Sequence, residues 1–211
     1  MTTISAIKRV CAKINLSYSE DGDGRIISAV KEKEYLNALV KGLGEEDPYT
    51  TCEIPKDRHW YDIRINSIPI NLKITNGGTD NAFNKVAFLY TLTATEVKKK
   101  NMNMNKWFEH VRTITHKEER DRHSEYHYLV VDKKTGTVLL KSILDIHTYK
   151  SNPANIFQIN WGKEFKNINY VTPEDKYHAK LLEAFGTVQK SVRQAMAGMD
   201  KFAEADLKKL L

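Results

Sequence analysis

The sequence predicts a mixed α/β fold, with a central mixed sheet flanked by helices and a long helix at the C-terminus. Three observations support this prediction. Residues 62–74 alternate polar and apolar side chains, as two half-buried strands do. Residues 25–42 and 80–92 repeat apolar side chains every three or four positions, which is typical of helices. From Pro173 onward, a similar apolar stripe continues to the end of the chain.

Length and composition favour one globular domain spanning residues 1–211. The chain has 211 residues, 41% of them hydrophobic and 28% charged, and no repeat or low-complexity linker marks a boundary. No apolar run approaches the roughly 20 residues that cross a bilayer, so we expect no membrane association. Two cysteines, Cys11 and Cys52, make no disulfide framework and favour a cytoplasmic location.

The first part of the chain predicts a helix followed by a meander of three strands. Residues 1–20 are a short helix or an arm. The helix at residues 25–42 is expected to end at Gly42 and Gly44. The predicted strands span residues 49–54, 62–65 and 68–74.

The two central strands predict a polar cluster on one face of the sheet. Asn71 and Lys73 share a face because strand side chains repeat every two residues. If the strands pair as a hairpin, Asp62 lies close to both. A carboxylate beside a backbone carbonyl can hold Mg²⁺, and a lysine can orient or deprotonate a water and offset phosphate charge. The alternative is an exposed sheet face with a salt bridge.

Glu32 falls on the apolar face of the helix at residues 25–42, together with Leu36 and Leu39. An acid buried without a partner is costly, so Glu32 either faces the polar cluster or reaches solvent at the helix surface. Glu34, on another face of the helix, is the weaker candidate.

A second helix is predicted after Asn76-Gly77-Gly78, with Thr79 or Asp80 as its N-cap. A helix N-terminus beside two glycines suits a phosphate group. The polar side chains expected near this helix start, and therefore near a bound phosphate, are Asn81, Asn84 and Lys85.

Residues 94–124 form a basic, asparagine-rich segment. Within residues 98–123, eight Lys and Arg residues face four acidic ones, which gives +4 of the net charge of +6. A local basic excess indicates a polyanion partner, and the alternative is a solvated charged helix. The side chains proposed for DNA contact are Lys106, Arg112, Arg120 and Arg122.

The remaining chain predicts more strands and then a helical region. The strands span residues 125–132, 137–147 and 156–161, with a turn at 133–136 and a loop at 149–155. The helical region spans residues 173–211, and its apolar stripe either covers the sheet or forms a dimer seam.

The order of these elements resembles the PD-(D/E)xK nucleases, and among them the type II restriction endonucleases. The resemblance covers roughly residues 24–92, including the segment IPINLKITNGGTDNAFNK. It implies a restriction-endonuclease-like fold that hydrolyses double-stranded DNA with Mg²⁺. It also implies a homodimer and a cognate DNA methyltransferase in the same restriction-modification system.

The resemblance also implies residue roles. Asp62 matches the first acid, a metal ligand, and Lys73 matches the active-site lysine. Glu32 matches a helix glutamate that some members use to position metal or water. Asn71 stands where the second acid is usual, so the implied metal ligands are Asp62, Asn71 and the carbonyl of Leu72.

The amide at position 71 leaves three explanations open. The subgroup tolerates Asn, or another acid such as Glu53, Asp80 or Glu34 compensates, or the chain does not cleave. The function classes are accordingly a restriction endonuclease, a DNA-binding protein without cleavage, and a nuclease of repair, recombination or RNA processing.

Overall fold

Two sheets and six α-helices make up the part of the chain described by the computed structural model, which confirms the predicted mixed α/β class. The described residues are 2–15, 24–56, 59–81, 85–93, 96, 102–115, 125–150 and 158–210. Contacts divide the chain into two units. The first unit comprises Met1–Gly78 and Asn84–Ile143, and the second comprises Thr79–Phe83 and Leu144–Leu211.

The elements are numbered in chain order. The helices are α1 (Thr3–Cys11), α2 (Gly24–Glu46), α3 (Lys85–Thr93), α4 (Met104–Thr115), α5 (Trp161–Lys166) and α6 (Tyr177–Leu210). The strands are β1 (Cys52–Glu53), β2 (Ile63–Ile65), β3 (Ile68–Thr75), β4 (Thr79–Asn81), β5 (His127–Asp132), β6 (Val138–Ser142), β7 (Tyr149–Lys150) and β8 (Gln158–Asn160). No described helix is both long enough and apolar enough to span a bilayer.

The sheet of the first unit has the strand order β1-β2-β3-β5-β6. Strand β3 runs parallel to β5, and the other neighbours are antiparallel. The β2–β3 hairpin turns on Asn66 and Ser67, whose φ angles of 44° and 71° are both left-handed, as a two-residue turn with the twist of the strands requires. The parallel pair needs a long crossover, which carries α3 and α4.

Helices α1 and α2 contribute to one apolar core with the sheet of the first unit. The predicted helix positions Leu36, Leu39 and Leu43 are buried in it. The sheet contributes Ile63, Ile65, Ile70, Leu72 and Ile74. The alternation predicted for the central hairpin is therefore the pattern that separates this core from the opposite face of β2 and β3.

Helix α2 continues to Glu46, so the prediction that it ends at Gly42 and Gly44 was wrong. A Cβ added to Gly42 would lie 2.5 Å from Cγ1 of Val10, whereas one added to Gly44 would meet open space. Gly42 therefore permits the close approach of α1 to α2 rather than stopping the helix.

The predicted N-cap at Thr79 or Asp80 was also wrong, because both residues belong to strand β4. Strand β4 pairs antiparallel with β8, and Thr79 lies opposite Asn160. A backbone ladder formed with a strand about 80 positions away overrides the local capping signal. Helix α3 begins at Lys85.

The second unit holds the antiparallel sheet β4-β8-β7 and the helices α5 and α6. Strand β7 falls in the predicted loop at 149–155, and α5 follows β8 directly because Asn160 caps it, its side chain accepting a hydrogen bond from Lys163 N at 3.0 Å. The predicted C-terminal helix is confirmed, with Leu181, Ala184 and Val188 buried along one face of α6.

Candidate active site

Asp62 is fixed at the point where β2 begins. Its backbone N–H donates to the carbonyl oxygen of Ile70 at 2.9 Å, next to the paired residues Ile63 and Ile70. Its carboxylate oxygen Oδ2 accepts a hydrogen bond from Leu72 N at 2.8 Å and another from Asn71 Nδ2 at 2.6 Å. The structure therefore brings Asp62 and Asn71 together, as the hairpin predicted, and adds a backbone contact to Leu72.

Aromatic side chains surround the backbone that precedes Asp62. Trp60, Tyr61 and Tyr126 are buried, and the ring centroids of Trp60 lie 5.0 Å from Tyr61 and 5.9 Å from Tyr126. Tyr126 donates from its hydroxyl to the carbonyl of Trp60 at 3.2 Å. Burial raises the pKa of Tyr126, and the charges of Tyr128 and Asp62 raise it further.

Opposing effects set the pKa of Asp62. Burial raises it, while the N–H of Leu72 and the positive charge of Lys73 act to lower it, and burial outweighs both. Lys73 is half-buried on the same face of β3 as Asn71. The ammonium of Lys73 therefore acts electrostatically on the carboxylate, which is the relationship predicted from strand periodicity.

Glu32 is a half-buried residue of α2 whose pKa is also raised, chiefly by burial. The charge of Asp62 raises it further, and the charges of Lys73 and Lys133 oppose the shift. Glu32 thus lies within electrostatic range of the predicted polar cluster. Of its two predicted alternatives, a position facing the cluster agrees better with these couplings than an isolated surface position does.

Lys133 is the member of this group that the sequence did not predict. It follows directly after β5, and its backbone N–H donates to the carbonyl of Thr75 at 2.8 Å, at the end of β3. The signal in the sequence was a lysine just past a strong strand. Its relevance depends on the parallel pairing of β3 with β5, which no local pattern reveals.

Oxygen atoms around Asp62 suit a hard cation. Because Nδ2 of Asn71 donates to Asp62, the amide oxygen Oδ1 faces elsewhere, and it is buried without a hydrogen-bond partner. The N–H and the C=O of a strand residue point to the same side of the strand. Because Leu72 N donates to the carboxylate of Asp62, the carbonyl of Leu72 also points to the side of β3 on which Asp62 lies. The carboxylate of Asp62 and the carbonyl of Leu72 fit Mg²⁺, which keeps several waters and often shares phosphate ligands, whereas Oδ1 of Asn71 reaches the same cation only when its amide turns over.

Two of the three acids proposed to compensate for Asn71 pair with other side chains. Glu53 accepts the hydroxyl of Tyr61 at 3.0 Å and lies 3.8 Å from Arg64. Glu34 pairs with Lys31 at 2.8 Å. Asp80 belongs to β4 of the second unit. Within the described residues, no group of three or more His, Cys, Asp or Glu side chains is arranged to hold a metal ion.

The residues predicted to contact DNA are in varied positions. Lys106 and Arg112 are exposed on α4, whose other side buries Trp107 and Val111. Lys85 begins α3, donates from Nζ to the carbonyl of Met102 at 3.4 Å, and has a pKa lowered by burial. Asn81 belongs to β4 rather than to a helix start. Asn84, Arg120 and Arg122 lie outside the described residues.

We call Glu32, Asp62, Asn71, Lys73 and Lys133 the hairpin cluster. It combines two carboxyl groups, two ammonium groups and one amide, drawn from α2, the β2–β3 hairpin and the end of β5. Comparison of the sequence with protein-family models and with curated proteins finds no match.

Proposed function

We propose that this protein is a Mg²⁺-dependent type II restriction endonuclease, which hydrolyses phosphodiester bonds at a short specific sequence in double-stranded DNA. The observation that carries the proposal is the carboxylate of Asp62. It is held by the N–H of Leu72 and the amide of Asn71, and the charge of Lys73 acts on it. The order of α2, a meander of three strands and a parallel fourth strand supports the same proposal.

Asp62 and the carbonyl of Leu72 would hold the cation, and Oδ1 of Asn71 would join them after its amide turns over and releases the hydrogen bond from Nδ2 to Asp62. Bound Mg²⁺ supplies Lewis-acid stabilisation of the negative charge that develops on the phosphate. Lys73 orients the attacking water and offsets charge on the non-bridging oxygens. The water oxygen forms a bond to phosphorus in line with the 3′ oxygen, whose bond to phosphorus breaks.

Glu32 is the proposed acceptor of the proton that the water loses. A general base works best when its pKa lies near the operating pH, and burial raises the pKa of Glu32 above its ordinary value. The positive charges of Lys73 and Lys133 oppose this shift.

Specific cleavage of both strands is best served by a homodimer with two-fold symmetry, which places one hairpin cluster on each strand of a palindromic site. Exposed Lys106 and Arg112 on α4 are the proposed phosphate and base contacts among the described residues. A cognate DNA methyltransferase would protect the host sequence.

A second candidate is a DNA-binding protein that does not cleave. The observation that favours it is the 2.6 Å bond from Asn71 Nδ2 to Asp62, because an amide in place of a carboxylate removes one negative charge from the cation site. This candidate keeps the exposed Lys106 and Arg112 on α4 and loses the hydrolytic step.

A plasmid digest with Mg²⁺ tests the proposal. We expect cleavage at a fixed sequence, and we expect Lys73→Ala to bind DNA but cut at least about a hundredfold more slowly, the scale for losing one electrostatic group. Lys134→Ala, an exposed lysine in the β5–β6 turn, is the control and should cut normally.

The outcomes separate the function classes. Binding without any cut at high protein concentration would favour the DNA-binding candidate. Cutting at DNA ends or branched structures rather than at a sequence would favour a repair or recombination nuclease. Full activity of Lys73→Ala would remove Lys73 from the mechanism.

A further inference from the structure

Hydrogen bonds define the turn after β5, which carries Lys133. Asp132 N donates to the carbonyl of Thr137 at 2.9 Å, and Gly136 N donates to the carbonyl of Asp132 at 2.9 Å. The side chain of Asp132 accepts from Lys134 N at 2.8 Å, which fixes the turn between them. Gly136 has a φ of 68°, a left-handed conformation that glycine adopts without strain.

The parallel pairing of β3 and β5 brings the backbone of this turn to the end of β3. Thr75 lies opposite Asp132 in the register, and the next residue, Lys133, bonds to the carbonyl of Thr75. Lys73 lies two positions before Thr75 on the same strand. Lys133 is half-buried, and its charge acts on Glu32, as that of Lys73 does.

The formal charges of the hairpin cluster show why a second lysine matters there. Asp62 and Glu32 contribute two carboxyl groups, Lys73 and Lys133 contribute two ammonium groups, and Asn71 contributes none. A cluster with two acids and two lysines repels an approaching phosphate less than a cluster with three acids and one lysine does. The neutral amide of Asn71 and the additional lysine both make the net charge of the cluster less negative.

We propose that Lys133 binds the phosphodiester backbone of DNA at the hairpin cluster, as a second ammonium group in addition to Lys73. The inference rests on the proposed function, because it assumes that DNA enters this cluster. It adds a phosphate-binding residue that lies outside the basic segment at residues 94–124.

DNA binding measured with Ca²⁺ in place of Mg²⁺, over KCl from about 50 to 200 mM, tests the inference. A lysine that neutralises one phosphate contributes about 0.9 to the slope of log K against log salt, so Lys133→Ala should make the slope less negative by about that amount. Lys133→Arg should retain the slope, and Lys134→Ala, exposed in the same turn, should change it less.

A second measurement needs no DNA. In ¹³C NMR titrations of the side-chain carboxyls, Lys133→Ala should raise the pKa of Glu32, because a positive charge that opposes its protonation is removed. Lys134→Ala should leave that pKa unchanged. Identical Glu32 titrations in the unsubstituted protein and Lys133→Ala would overturn the placement of Lys133 in the cluster.

The binding outcomes distinguish this inference from the proposed function. If the unsubstituted protein binds and cuts DNA but Lys133→Ala has an unchanged salt slope, only the role of Lys133 is overturned. Equal changes in Lys133→Ala and Lys134→Ala would assign the effect to the general charge of the turn and overturn it as well. If the unsubstituted protein binds no DNA, both the function and the inference fail.

Discussion

Replacing Asn71 with Asp tests the geometry of the hairpin cluster most directly. The amide nitrogen of Asn71 lies 2.6 Å from Oδ2 of Asp62 and donates a hydrogen bond to it. Asn71→Asp puts a second carboxylate at that position, removes the donor, and leaves two like charges in contact. Without a cation, the variant should therefore have a lower free energy of unfolding than the unsubstituted protein. A bound cation should raise the free energy of unfolding more in the variant than in the unsubstituted protein.

The magnitude follows from Coulomb's law. Two unit charges about 2.6 Å apart at an effective dielectric constant of about 20 repel by roughly 6 kcal/mol, which is an upper bound because the pair can take up a proton instead. Keeping one carboxyl protonated at pH 8 costs about 5 kcal/mol when its ordinary pKa is near 4. With relaxation, we expect a loss of about 3 to 5 kcal/mol in the free energy of unfolding at pH 8.

The pH dependence has a defined sign. Two adjacent carboxyls raise the pKa of one of them in the folded state above its unfolded value. Such a group binds a proton more tightly when folded, so the destabilisation is small near pH 4 and grows as pH rises through the raised pKa. The loss in the free energy of unfolding caused by Asn71→Asp should therefore increase from pH 4 to pH 8.

The assay is denaturant unfolding at pH 4.5 and pH 8, with and without Mg²⁺. A cation that binds the folded variant at about 100 times its Kd restores roughly 2.7 kcal/mol. Asn76→Asp, an exposed position just after β3, is the control and should change stability by less than about 0.5 kcal/mol. If Asn71→Asp unfolds like the unsubstituted protein at pH 8 without metal, the contact between residues 62 and 71 is refuted.

Two further predictions concern the helix packing and the core of the first unit. Gly42→Ala should destabilise the protein by about 1 kcal/mol or more, since its Cβ would meet Val10 Cγ1 at 2.5 Å. Gly44→Ala should stabilise the protein by about 0.5 to 1 kcal/mol, because a Cβ at this helix position would meet open space. Equal changes in the free energy of unfolding for Gly42→Ala and Gly44→Ala, measured by denaturant unfolding, would contradict this prediction. Burial lowers the pKa of His127 to about 4, so His127 should stay neutral in NMR titrations down to about pH 5. Because the folded protein holds His127 neutral, its free energy of unfolding should fall by up to about 3 kcal/mol as pH falls from 6.5 to about 4. A titration of His127 near pH 6.5 would show that the side chain is not buried.

Local periodicity was sufficient to predict the central hairpin and its polar face. Asp62, Asn71 and Lys73 could be grouped from sequence because a period of two and a two-residue turn determine which side chains face each other. The long α6 was predictable for a similar reason, since its stripe depends only on helical spacing.

Features that depend on distant partners were not predictable. Thr79 has the side chain of an N-cap, yet pairing with Asn160 makes it a strand residue. Gly42 has the identity of a helix stop, yet the proximity of Val10 gives it a packing role. Lys133 could not be placed near Glu32 without knowing that β5 lies parallel to β3.

The parallel pairing of β3 with β5 has a consequence for how the protein folds. Asp62 and Leu72 are separated by 10 positions, so their contact closes a short loop, whereas Thr75 and Lys133 meet across 58 positions. Loop-closure entropy favours the short contact first and delays the long one. During folding, the contact between Asp62 and Leu72 should therefore form before the contact between Thr75 and Lys133. A nascent chain would thus lack Lys133, one of the four charged groups of the hairpin cluster, until β5 has paired with β3.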